Sequence, residues 1–353
     1  MTRVAAIDCG TNTIRLLVAD AIREQRTGTV RLHPLHRSST IVRLGQGVDR
    51  TGRLDADALA RTLQVVHEYA RTCADLDVPL DAGHARFVAT SATRDAENRD
   101  EFVDGVRAAL GIVPEVVSGQ EEARLSFAGS LLGSGGGAAA TDAQGGDAAD
   151  ADDGERPGGH PALPGPRLVV DLGGGSTELV LGVDAPQAAC SMNTGSVRIT
   201  ERYLADGVTP AAEDAARAEV RGLLDRAADA VDLGAATRLV GLAGTISTVT
   251  AHALGLDAFD RDVIDGAELS VERVLASCDA IVHSTAAQRE SWGYLLPGRR
   301  DVIAAGALVW SEVVARVAAD TAVAGQPLTT TVTSLSDILD GIAASLASAG
   351  EAA

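Results

Sequence analysis

Apolar residues recur along this chain at two spacings, and the switch between them predicts an alternation of strands and helices. VAAIDCG (residues 4–10) and IRLLVAD (14–20) flank a polar TNT and predict a hairpin. In DADALARTLQVVHEYARTCADL, Leu59, Leu63, Val66, Ala70, Cys73 and Leu76 fall on one helical stripe. RFVATSATR reads as a strand followed by a turn. NRDEFVDGVRAALG reads as a helix with Phe102, Val106 and Leu110 on one face and Gly111 as its stop signal. PEVVSG predicts a strand and QEEARLSFAGSLL a helix. Further on come two hairpin-like pieces, then a long helix opened by Thr209 and Pro210. RLVGLAGT predicts a strand that leads through ISTVTAHALG into a helix. The last helical pattern, SLSDILDGIAASLA, offers Ser334 and Asp337 as a capping box.

One stretch breaks the alternation. Residues 133–166 are Gly, Ala, Asp and Pro with almost no large apolar side chain. Such a segment buries too little surface to offset its ordering entropy, so a disordered surface insertion is the expectation and a binding loop the alternative. A longer echo runs across the break. AAIDCGTNTIRLLVA and LVVDLGGGSTELVLG share one plan: an apolar strand ending in Asp, a turn of glycine and hydroxyl residues, and a second apolar strand. Two halves built on one hairpin predict a duplicated α/β protein of two lobes with a cleft between them. The lobes are expected at residues 1–123 plus about 334–349, and at 124–333.

Composition narrows the function classes. The chain has 353 residues, enough for about two domains. A formal net charge of −19 argues against non-specific binding to nucleic acid or to an anionic membrane. There is no lysine, which removes the phosphate-loop lysine and Schiff-base chemistry. Four scattered cysteines form no C-x-x-C pair and predict neither a disulfide framework nor a zinc site. The N-terminus runs straight into a strand, and the most apolar later segment, DVIAAGALVWSEVVARVAA, carries Glu312 and Arg316. A reduced, cytoplasmic protein is expected.

The candidate chemistry lies in the turns. Gly173, Gly174 and Gly175 let backbone N–H groups converge on an anion, and Ser176 and Thr177 add hydroxyl donors. It is not a Walker loop, because the lysine is missing and a strand follows. A plain hairpin turn is the competing reading. Asp171 and Glu178 bracket the turn, and two carboxylates beside a phosphate cradle suit Mg²⁺. Asp8, Gly10, Thr11, Asn12 and Thr13 form the matching loop, an ordinary turn if read alone and a second phosphate clamp if read as the counterpart. Glu121 and Glu122 fall in the first turn of a helix, where they either favour the helix dipole or orient a water; spacing does not choose between them. Arg94 follows a strand, either as a surface charge or as a fork for a phosphoryl group.

Seven pieces in order, IDCGTNTIRLLVA, ATSATRDAENRDEF, VVSGQEEARLSFAG, LVVDLGGGSTELVLG, MNTGSVRITERY, GLAGTISTVTA and DVIAAGALV, resemble the exopolyphosphatase and guanosine pentaphosphate phosphohydrolase family. The match runs from about Val4 to Leu346 outside the insertion. The resemblance implies the ribonuclease H-like, actin-like ATPase fold shared with heat-shock chaperones and sugar kinases. It implies hydrolysis of terminal phosphoanhydride bonds of polyphosphate or guanosine pentaphosphate with Mg²⁺ or Mn²⁺. It matches Glu122 to the water-orienting base, and Asp171 and Glu178 to metal-site carboxylates, with Asp8 as a further carboxylate whose direct contact stays open. It matches Gly10, Thr11, Asn12, Thr13, Arg94 and Gly173 to Thr177 to phosphate contacts, and Gly241 to Thr245 to a third nucleotide-side element. The family usually has Ser where Thr11 and Thr13 stand, and both keep the hydroxyl. Longer members carry a C-terminal helical region absent here, which implies short chains as substrate. A homodimer is compatible with the reading. The rivals are a kinase of the same superfamily and a regulatory nucleotide-binding protein without turnover.

Overall fold

A computed structural model of the chain describes residues 1–24, 26, 28–132 and 165–349. The expected insertion therefore lies, but for its last two residues, outside the described residues. Those two lead into a strand, and the Pro166 carbonyl accepts from the Thr237 amide at 2.9 Å. Two compact units are formed. The first contains Met1–Ser118, residues 128–132 and the C-terminal helix Ile338–Ala349; the second contains Gly119–Phe127 and residues 165–337.

The first unit is built on five strands: β1 (Thr2–Cys9), β2 (Thr13–Arg23), β3 (Val30–Ile41), β4 (Ala85–Ala89) and β5 (Glu115–Val116), in the order β3-β2-β1-β4-β5. β1 to β3 form an antiparallel meander, and β4 and β5 join parallel to β1. Such a sheet needs cover on both faces, and β1 is buried from Val4 to Cys9. Ala5, Ile7 and Cys9 pack with Val66, Tyr69 and Cys73 of helix Ala56–Asp75 and with Phe102, Val106 and Leu110 of helix Arg99–Leu110. Helix Ile338–Ala349 packs on β1 to β4.

The second unit repeats the plan. Its strands are β6 (Arg167–Leu172), β7 (Thr177–Gly182), β8 (Pro186–Met192), β9 (Arg238–Leu242), β10 (Glu268–Ser270) and β11 (Thr330–Thr333). Their order is β10-β11-β9-β6-β7-β8: again a three-stranded meander, with β9 and β11 added in parallel beyond its first strand and β10 closing that edge antiparallel to β11. Period-two alternation divides β6. Leu168, Val170 and Leu172 enter the larger core, whereas Val169 packs with Val180, Val240, Val332, Ala123 and Phe127. The two halves are thus copies of one α/β topology.

Several local expectations are met. Thr209 caps the helix Pro210–Ala228 through Ala212 N–H, and Gly111 ends its helix at φ 74°. Others need correction. Residues 91–95 form a short helix rather than a turn. β3 is a full strand that apolar alternation does not announce; it is an edge strand with Pro34 inside, and its side chains are all half-buried or exposed. Ser334 caps no helix: its hydroxyl bonds within the turn to Ser336, and the helix starts at Ile338. The capping box actually formed is Thr285 with Gln288. The stripe of helix Ala56–Asp75 is rotated, burying Thr62, Val65 and Tyr69 while Leu63, Ala70 and Leu76 lie at its margin. No described helix is long and apolar enough to cross a membrane.

Candidate active site

In the second unit the turn between β6 and β7 sets two carboxylates face to face. Asp171 and Glu178 are directly paired across the antiparallel ladder, so both side chains leave the same face of the sheet. That face is covered by helix Gly119–Leu131. Ala123 and Phe127 of this helix pack on Val169 and Val180, and one residue away on the same surface stand Glu122 and Ser126. Ser126 Oγ donates to Asp171 Oδ2 at 2.6 Å. Ser191 Oγ of β8 donates to Glu178 Oε1 at 2.7 Å. Gly119, at the head of the helix, lies against Ser191: a Cβ there would come within 2.4 Å of the serine Cβ.

Glu122, Asp171 and Glu178 are 7%, 7% and 1% exposed. Burial, then the Glu122 and Asp171 charges, push the Glu178 carboxyl well above the ordinary range, against hydrogen bonds from Ser191 and Ser176. No cation pairs with Glu178 among the described residues. The neighbouring Glu121 is different. It sits at the protein surface and pairs with Arg124 at 2.5 Å. The structure thus separates two glutamates that spacing leaves equivalent, and it is Glu122 that joins the carboxylates.

The glycine turn is held by a close approach of backbone. Gly173 N–H donates to Ser176 C=O at 3.0 Å. Ser196 N–H donates to Gly173 C=O at 3.1 Å, and the N–H groups of Val197 and Arg198 to Gly174 C=O at 2.9 and 3.1 Å. Gly195 lies so near that a Cβ would fall 2.6 Å from Gly174 carbonyl atoms. Thr177, expected at phosphate, is fully buried and gives its hydroxyl to Thr194 C=O. Gly306 packs against Thr245 and Ser196, which brings the GLAGT element beside the TGSVR element. Arg299 lies directly on Gly244, whose missing Cβ would overlap its guanidinium. Ser191 and Arg299 fall outside the motifs of the sequence, and Ser126, Gly195 and Arg198 fall inside them without a spacing that singles them out. Glycine is the signal for two: Gly119 marks Ser191 and Gly244 marks Arg299, each a neighbour that a side chain would displace.

The first unit carries the matching turn. Gly10 N–H donates to Thr13 C=O at 2.9 Å, as Gly173 does to Ser176. Thr11 Oγ1 and Ser91 Oγ share a hydrogen bond of 2.8 Å, and Arg94, in the same short helix as Ser91, donates to Val117 C=O at 2.9 Å. Asp8 is the counterpart of Asp171, but the residue opposite it is Arg15, where Glu178 stands in the second hairpin. The two form an ion pair of 2.6 Å in which Asp8 is 6% exposed.

Two opposed carboxylates on a buried face offer hard oxygen ligands, and Mg²⁺ characteristically takes one or two carboxylates and completes its shell from phosphate and water. Among the described residues no three His, Cys, Asp or Glu side chains are arranged as a ready-made cage. Two carboxylates are a donor set that fits such an ion, with the rest of its shell left to water and phosphate.

Comparison with known proteins places the chain among relatives. A family model described as the Ppx/GppA phosphatase family matches residues 21–140 and 162–325. Exopolyphosphatase 2 of Mycobacterium tuberculosis is 42% identical over 98% of this chain and 99% of its own. The crystal structure of an exopolyphosphatase-like protein superposes with a TM-score of 0.83 at 41% identity, covering 98% of this chain and 97% of that one. The Ppx/GppA family member of Aquifex aeolicus, 23% identical and covering 99% of both chains, has the same fold at a TM-score of 0.71.

Proposed function

The chain belongs to the Ppx/GppA phosphatase family, and on that premise we propose that it releases orthophosphate from the ends of inorganic polyphosphate. The observation that carries the reading is the buried group of Glu122, Asp171 and Glu178 beside a glycine turn whose Gly174, Gly175 and Ser176 N–H groups donate to no backbone carbonyl among the described residues. Terminal phosphoryl transfer to water demands little covalent chemistry of a protein; it demands positioning and neutralisation of charge. The N–H groups of the turn hold the terminal phosphoryl oxygens. Glu122 accepts a proton from the attacking water. Asp171 and Glu178 would hold Mg²⁺ or Mn²⁺, which when bound neutralises charge on the phosphoryl group. Ser126 and Ser191 hold those carboxylates in place. The named relative in Mycobacterium supports polyphosphate as the substrate.

Guanosine pentaphosphate presents the same terminal phosphoanhydride and is the second substrate to test. A net charge of −19 repels an extended polyanion, so short chains are expected to be preferred. The test is phosphate release from tripolyphosphate, long-chain polyphosphate, ATP and guanosine pentaphosphate, with Mg²⁺ and with chelator. Release from tripolyphosphate that requires Mg²⁺ supports the reading. Release of nothing from any of the four, or turnover of ATP only when a sugar or carboxylate acceptor is added, would overturn it in favour of a nucleotide sensor or a kinase.

A further inference from the structure

The two turns hold their carbonyl groups by different means, and the difference singles out one side chain. A trans peptide is planar, so its C=O and N–H point in opposite directions. Fixing a carbonyl therefore aims the next residue's N–H. In the second turn, Gly173 C=O and Gly174 C=O are fixed by backbone N–H groups of Ser196, Val197 and Arg198, which turns the Gly174 and Gly175 N–H groups away from that segment. Gly175 C=O is fixed instead by a side chain, Arg198 Nε, at 2.9 Å. Among the described residues the N–H groups of Gly174, Gly175 and Ser176 donate to no backbone carbonyl.

In the first turn the corresponding carbonyls are held by backbone alone. Gly45 N–H donates to Thr11 C=O at 2.8 Å, and both Val42 and Arg43 N–H to Asn12 C=O at 3.0 Å. Bringing two successive N–H groups to one carbonyl places Arg43 at φ 54°, a left-handed conformation unfavourable to a non-glycine residue. Strain is tolerated there, and a guanidinium is recruited in the other copy, for the same end.

We propose that Arg198 is a positioning residue for phosphate: by holding Gly175 C=O it aims the Ser176 N–H at the phosphoryl group bound by the turn. The inference rests on the proposed phosphate site. It assigns Arg198 no contact with substrate; the planar fork matters, because it must lie along a carbonyl while its own backbone N–H serves Gly174.

The test compares Arg198→Ala and Arg198→Lys with wild type, by kcat and KM on tripolyphosphate and by calorimetric binding of inorganic phosphate, with thermal melting to confirm folding. Loss of one oriented donor costs about 10²–10³-fold in turnover, so kcat/KM should fall by about 100-fold in Arg198→Ala. Millimolar guanidinium should restore at least about tenfold of that loss. Arg198→Lys, which keeps the charge but not the fork, should stay impaired. Phosphate affinity should fall in both variants. Wild-type kcat/KM and phosphate affinity in Arg198→Lys would overturn the proposal, as would a folded Arg198→Ala with either quantity unchanged or with no response to guanidinium. If Arg198→Ala does not fold, Arg198→Lys decides alone. If the wild type itself turns over nothing, the hydrolase reading fails separately, and the phosphate-binding measurements still decide the role of Arg198.

Discussion

Replacing Glu178 by Gln should make the metal-free protein more stable while abolishing its activity. Directly opposed residues of an antiparallel pair hold their β-carbons about 4.5–5.5 Å apart. At roughly that distance and an effective dielectric near 20, a like-charge pair costs about 3 kcal/mol. Asp171 is such a neighbour of Glu178, and Glu122 adds to the repulsion. Hydrogen bonds from Ser191 and Ser176 offset part of this, and the Gln oxygen can still accept from Ser191. A net gain of about 1–3 kcal/mol follows, read as a rise in Tm of about 2–6 °C for a domain of this size. Burial and its two acidic neighbours raise the folded-state pKa of Glu178, so this group binds its proton more tightly in the native state than in the unfolded chain, and its contribution to stability falls as pH rises above about 4.5. The advantage of Glu178→Gln should therefore be largest at neutral pH and shrink in acid. Scanning calorimetry in chelator at pH 5 and pH 7.5 measures both. Mg²⁺ with phosphate should then stabilise wild type more than the variant. A variant that melts below wild type in chelator at pH 7.5 would refute the reasoning, because Glu178 would then be held by donors that outweigh the repulsion.

Glu122→Gln should lower kcat by about 10²–10⁴-fold with substrate affinity preserved, the range for loss of a general base, whereas Glu121→Gln, at the half-buried partner of an exposed Arg124, should change kcat little; steady-state kinetics on both decides. Asp171→Asn should depress activity steeply and regain part of it only at high Mg²⁺, and a variant with wild-type activity in chelator would remove the metal assignment. Burial pushes the Cys73 thiol up to about 11 and raises Cys9 and Cys278 as well, while Cys190 is half-buried and raised first by burial and then by the Glu178 charge. At pH 8 an aromatic disulfide reagent should accordingly titrate at most one thiol per native chain and four in denaturant; rapid reaction of three or more thiols in the native protein would contradict this burial.

The duplicated hairpins and the carboxylates on them are readable in the sequence because each depends on local pattern. A strand ending in Asp, a glycine turn and an apolar strand suffice to place Asp171 opposite Glu178. The choice of Glu122 over Glu121 is not local. It depends on which face of helix Gly119–Leu131 meets Val169 and Val180, a packing decision made by residues far along the chain. β3 escapes for the opposite reason: an edge strand with few buried side chains lacks the alternation that announces a strand. Arg198 and Ser191 make hydrogen bonds to groups brought near only by folding, and no spacing rule reports such contacts. What sequence does hold of them is glycine at Gly119 and Gly195, positions that record a neighbour without identifying it.

The exchange of Arg15 for Glu178 at equivalent seats gives the two hairpins different responses to their surroundings. With Asp8 paired to Arg15, the first is electrically complete. Its stability should depend little on added Mg²⁺. With Asp171 facing Glu178, the second is in deficit. On the proposed metal site, its free energy should depend on the cation bound and the anion that accompanies it. On that reading, amide exchange in β6 and β7 should slow on addition of Mg²⁺ and phosphate far more than exchange in β1 and β2. A single substitution, acid for base at one cross-strand position, is enough to divide a symmetric duplication into reference and responder.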